Sequence, residues 1–100
     1  ARRAVAGGAA SAAQARATLA PEAFDAILLA SENITRFHEA GRPSDHKVET
    51  MSGLTVRKLW RPLERVGLYV PGGRTPLFSS LLMLALPARA AGVAELVVVT

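Results

Sequence analysis

The stretch Val66-Gly-Leu-Tyr-Val-Pro-Gly-Gly-Arg-Thr-Pro constrains this chain more than any other. Val66 to Val70 is a short apolar run with β-branched and aromatic members, bounded by Gly and Pro, and reads as a strand. Pro71-Gly72-Gly73 stops it, because proline lacks an N–H and glycine reaches positive φ without steric cost. Thr75-Pro76 then restarts the chain as an N-cap followed by a proline in the first helical turn. A strand, a glycine turn and a helix in that order leave free backbone N–H groups and a positive dipole end at one spot. Such a spot suits a phosphate or a carboxylate.

The helix predicted after the turn runs over 77–91 and contains Pro87, which is expected to kink or split it near Met83 to Leu86. Gly92 suits the position just past its end. Glu95 to Thr100 is an almost wholly aliphatic strand of the kind buried on both faces of a parallel sheet. These elements make one βαβ unit.

Upstream, 9–19 has high helix propensity but few large side chains, and reads as a weakly anchored helix. Pro21-Glu22 opens a second helix whose stripe is Phe24, Ile27, Leu28, Ser31, Ile34, Phe37 and His38, with Glu32 and Arg36 an i,i+4 pair opposite. It ends at Gly41. His46 to Met51 and Leu54 to Arg61 read as strands joined by a Ser52-Gly53 turn. The fold class is therefore α/β: a partial Rossmann-like unit with N-terminal helices, a β-hairpin and one βαβ crossover. Residues 1–100 read as part of a single α/β domain truncated at its C-terminus, because a doubly wound sheet needs further strands.

Composition excludes several function classes. The net charge of +4 comes from scattered residues, ten of the twelve basic ones being arginine. A nucleic-acid surface would cluster them among aromatics, so no nucleic-acid partner is expected. No apolar run approaches the roughly 20 residues that span a bilayer, and the Arg2-Arg3 start lacks the apolar core of a signal peptide. The expected location is cytoplasmic, without a membrane partner. With no cysteine there is neither a disulfide nor a thiolate metal site.

Residues with chemistry are few. The glycines fit neither G-x-G-x-x-G nor a P-loop. Tyr69, one residue from the end of its strand, stands either at the crevice where open α/β sheets bind ligands or in the core with a satisfied hydroxyl. Arg74 meets a phosphate or projects into water. His38 lies on an apolar stripe as a packed or boundary histidine. Asp45, His46 and Glu49 suggest a metal cluster only superficially, since adjacent strand residues point to opposite faces. No intrinsic metal site and no catalytic residue is assigned.

Arg61-Pro62-Leu63-Glu64 and on through Gly73, followed by Pro76, Ser79-Ser80, Leu82-Met83, Pro87-Ala88 and Ala91-Gly92, resemble the histidinol dehydrogenase family. Glu32-Asn33-Ile34, Phe37-His38, Glu49-Thr50 and Gly53 fit it too. Thr75 departs from the alanine more usual there, and Gly7-Gly8 matches little. The resemblance runs from about Leu19 to Thr100. It implies a zinc-dependent, NAD-using homodimer that oxidises L-histidinol through the aldehyde to L-histidine, the last step of histidine biosynthesis. It also implies that Tyr69 contacts NAD. The family's zinc ligands, acid–base pair and substrate-binding residues belong to motifs absent from this sequence. The chain thus reads as an N-terminal-half fragment carrying part of the cofactor cleft, expected alone to bind no zinc and to be inactive. The alternative is a non-catalytic α/β binding or interaction module that shares the Leu-Tyr-Val-Pro-Gly-Gly block.

Overall fold

The computed structural model describes residues 9–72 and 77–99. Helix α1 (Ala9–Thr18) is followed by α2 (Pro21–Ala40), the hairpin β1 (His46–Met51) and β2 (Leu54–Lys58), then β3 (Arg65–Tyr69), α3 (Phe78–Ala90) and β4 (Glu95–Val99). The strands form two separate two-stranded sheets, antiparallel β1–β2 and parallel β3–β4. The βαβ unit is therefore present.

Period-two alternation decides what β3 buries. Val66, Leu68 and Val70 share one face, and Leu68, 4% exposed, is the one buried residue among those described. Helix α3 packs on β3, and α2 packs on α3. Arg65, Gly67 and Tyr69 occupy the other face and are exposed. No helix covers it among the described residues. The expectation that β4 is buried on both faces is thus corrected: Leu96, Val97 and Val98 are only half-buried.

Helix α3 ends as glycine predicts. Gly92 takes φ +91°, its N–H bonds the carbonyl of Arg89, and the Val93 N–H bonds that of Ala88. These two bonds make a Schellman cap, which satisfies carbonyls left over by the helix. Pro87 does not split the helix, which is continuous over Phe78–Ala90. Proline sits one turn from the C-terminus, so it removes a single bond, to the Met83 carbonyl. The N-cap is Leu77, without a side-chain bond, rather than Thr75. Thr75, Pro76, Gly73 and Arg74 lie outside the described residues.

Proline starts α2 as expected, but Gly41 closes it at φ −87°, so no left-handed cap is used. Of the predicted stripe, Phe24, Ile27, Ser31, Ile34 and His38 are half-buried, whereas Leu28 and Phe37 are exposed. Spacing defines a face, and packing on α3 covers only part of it. Glu32 and Arg36 form no ion pair among the described residues, where the pairs are Arg61–Asp45 and Arg65–Glu95. Helix α1 is tied to α2 by the Arg16 guanidinium, 4.6 Å above the Phe24 ring.

In the hairpin, Gly53 takes φ +80° at the turn and the ladder shifts register between Glu49 and Met51. β2 stops at Lys58 instead of Arg61. Every hairpin residue is exposed, including the facing pairs Val48–Val56 and Met51–Leu54. With this apolar ribbon uncovered and β4 at a sheet edge, the 100-residue polypeptide is expected to self-associate. Sedimentation checks this; a monodisperse monomer at high concentration contradicts it.

Candidate functional site

Parallel pairing puts the C-terminal ends of β3 and β4 side by side, with Tyr69 opposite Val99. The ladder closes one step later, where the Val70 N–H donates to the Val99 carbonyl at 2.9 Å. Beyond it Pro71 and Gly72 belong to no regular element, and the next element is α3. Tyr69 is thus the last strand residue before the loop joining a parallel strand to its helix, where open α/β sheets bind ligands. Tyr69 is 68% exposed. Within this chain Tyr69 is therefore not buried. An exposed phenol at that edge offers a flat apolar face and a hydroxyl that can donate or accept.

A concavity of about 680 Å³ lies between the C-terminal ends of α2 and α3 and the base of the hairpin. His38, Arg42, Asp45, Trp60, Arg61 and Pro87 are among its lining residues, and Tyr69 is not. Its chemistry is largely internal. Asp45 Oδ1 accepts the Trp60 N–H at 2.8 Å, Oδ2 accepts from Arg61 Nη1 at 3.1 Å, and Nη1 also donates to the Trp60 carbonyl at 2.9 Å. The acid and the guanidinium neutralise each other, which leaves the edge at Tyr69 as the better candidate.

Sequence reasoning missed this tie across the hairpin base, although register arithmetic contains it. His46 faces Lys58, so one step outward brings Asp45 alongside the residues after β2. The Trp60 N–H first, and then the Arg61 guanidinium, hold the Asp45 carboxyl below its ordinary pKa. A depressed folded-state value means the tie is at full strength above the unfolded value of about 3.9 and is lost as pH falls through the folded one. Trp60 is the only tryptophan and reports this directly. Its fluorescence is expected to change on acidification below roughly pH 4, and Asp45→Asn is expected to abolish that change. An unaltered acid titration in the variant contradicts the assignment.

The superficial metal cluster has the same resolution. Asp45 is committed to Trp60 and Arg61, while Glu49 Oε1 accepts the Gly53 N–H at 3.0 Å and supports the turn. No group of three His, Cys, Asp or Glu side chains converges among the described residues. These include both histidines and all eight acids of the chain. The residues present do not fit a zinc site. Likewise, no helix among the described residues is long and apolar enough to cross a membrane.

Comparison with known proteins points in one direction. The family model for histidinol dehydrogenase matches residues 3–100. The chain is 50% identical over 84 residues to the histidinol dehydrogenase of Campylobacter jejuni, covering 84% of this chain and 20% of that protein. It is 49% identical over 88 residues to the one from Xylella fastidiosa, covering 88% of this chain and 20% of the relative. The crystal structure of histidinol dehydrogenase from Elizabethkingia anophelis superposes with a TM-score of 0.85 at 35% identity, over 91% of this chain and 21% of that one. The chain therefore spans about a fifth of the length of the relatives it matches.

Proposed function

The chain belongs to the histidinol dehydrogenase family, and from that premise we propose that it forms part of the cofactor cleft of an enzyme oxidising L-histidinol to L-histidine, the last step of histidine biosynthesis. The observation that carries this reading is Tyr69, exposed at the C-terminal edge of the parallel β3–β4 pair. NAD, when bound, supplies the acceptor for the hydride that leaves the alcohol carbon. Tyr69 contributes by contacting the dinucleotide, with its ring as a wall and its hydroxyl as a hydrogen-bonding group. Tyr69 is the last residue of β3 on that face.

In this reading residues 1–100 are part of a single NAD-binding-type, Rossmann-like domain, and the βαβ unit is the portion that meets the cofactor. The complete enzyme is a cytoplasmic homodimer that uses zinc as well as NAD, with the metal held by residues outside this chain. The alternative of a non-catalytic α/β module is not favoured, because the family match extends over nearly the whole chain rather than the Leu-Tyr-Val-Pro-Gly-Gly block alone.

Tyr69→Phe in the full-length enzyme tests the assignment. Loss of one hydrogen bond, about 0.5–1.5 kcal/mol, is expected to raise KM for NAD about two- to tenfold and to leave zinc content unchanged. Unaltered NAD kinetics contradict a cofactor contact at Tyr69.

A further inference from the structure

Strand β4 carries little chemical information about its own register. Leu96, Val97, Val98 and Val99 face Val66, Gly67, Leu68 and Tyr69 in turn. Slid along β3 by one residue or two, the run would still present branched aliphatic side chains to the same partners. Backbone bonds do not discriminate either. The Glu95 N–H to the Glu64 carbonyl at 3.1 Å, and the Val70 N–H to Val99 at 2.9 Å, use groups that every such residue owns. A register is specified where a side chain differs from its neighbours.

Arg65 and Glu95 differ. They are directly opposite in the ladder, and both Arg65 Nε and Nη2 reach Glu95 Oε2 at 2.7 Å. This is the one side-chain polar contact between β3 and β4 among the described residues. It lies on the face that α3 leaves uncovered, which is also the face of Tyr69. Alternation places the two residues on one row, four positions or roughly 13 Å apart along the strand. A slip of one residue would exchange the faces that β4 presents to β3. A slip of two would carry Tyr69 roughly 7 Å along its partner.

We infer that Arg65 and Glu95 are a positioning pair, locking the parallel register of β3 on β4 and thereby setting where Tyr69 stands at the cofactor edge. The inference rests on the reading of Tyr69 as an NAD contact. The pair is exposed to solvent, so its influence is modest in size and specific in pattern.

The test uses the full-length enzyme with Arg65→Met, Glu95→Gln, the charge-swapped double variant Arg65→Glu/Glu95→Arg, and Tyr69→Phe alongside. Amide hydrogen exchange at Glu95 and Val70, the two ends of the ladder, reads the register without reference to NAD. Each single variant is expected to lower protection there and raise KM for NAD about two- to fivefold, the span an exposed ion pair commands. The swap is expected to restore both, which loss of folding would not allow. Undiminished amide protection in the single variants overturns the register lock, whatever Tyr69→Phe does. Lost protection with unaltered NAD kinetics, while Tyr69→Phe raises KM, overturns the positioning role and leaves Tyr69 standing. If Tyr69→Phe alone is silent, the cofactor contact fails and the positioning role falls with it.

Discussion

Leu68→Ala is expected to destabilise the βαβ unit by about 2–5 kcal/mol, the range for truncating a buried leucine. Leu68 is the one buried residue among those described, in β3 and opposite Val98, on the face that alternation shares with Val66 and Val70. Removing its isopropyl group takes away apolar burial and leaves a gap that a short strand closes poorly. Few other side chains can compensate, because the surrounding positions of β3, β4 and α3 are half-buried or exposed. Small domains stand only about 5–15 kcal/mol above their unfolded state, so a loss of this size is decisive. Denaturant unfolding of wild type and variant, followed by circular dichroism, measures it. A difference below about 1 kcal/mol would contradict Leu68 as the centre of the packing.

Gly and Pro punctuation makes most of this architecture legible in the sequence. Pro21 and Gly41 bracket α2, Ser52-Gly53 separates β1 from β2, and Gly92 ends α3 because only the left-handed region closes that cap cheaply. β-branched runs identify β3 and β4, and their order makes the pairing parallel. What escapes is whatever depends on a neighbour. Spacing puts Leu28 and Phe37 on an apolar face of α2 without saying whether anything covers them. Pro87 carries the sign of a break, yet one turn from a helix end it costs one bond. Tyr69 is legible as a residue at a strand edge. Its exposure depends on α3 covering the opposite face, which alternation alone cannot choose.

A second large effect is expected from the distance between the proposed cofactor edge and the chemistry. Oxidising histidinol requires a base for the hydroxyl proton while hydride leaves the carbon, and that base must lie within hydrogen-bond reach of the alcohol. A catalytic zinc requires about three converging N, O or S side chains, oriented by further partners. This chain has two histidines, His38 and His46, and no cysteine. Asp45 and Glu49, the acids nearest His46 in sequence, already hold the hairpin base and its turn. Glu95 is paired with Arg65 at the end of the sheet opposite Tyr69. None of these groups assembles into a ligand set or a base beside Tyr69.

The central claim is that these 100 residues carry a cofactor edge without the catalytic apparatus, and a zinc titration coupled to a turnover assay tests it most directly. The purified polypeptide is titrated with zinc by calorimetry, then supplied with histidinol, NAD and zinc while NADH is followed by absorbance. The expected result is no stoichiometric sub-micromolar zinc binding and NADH formation equal to the buffer blank. Tight stoichiometric zinc binding, or turnover above that blank, would contradict it.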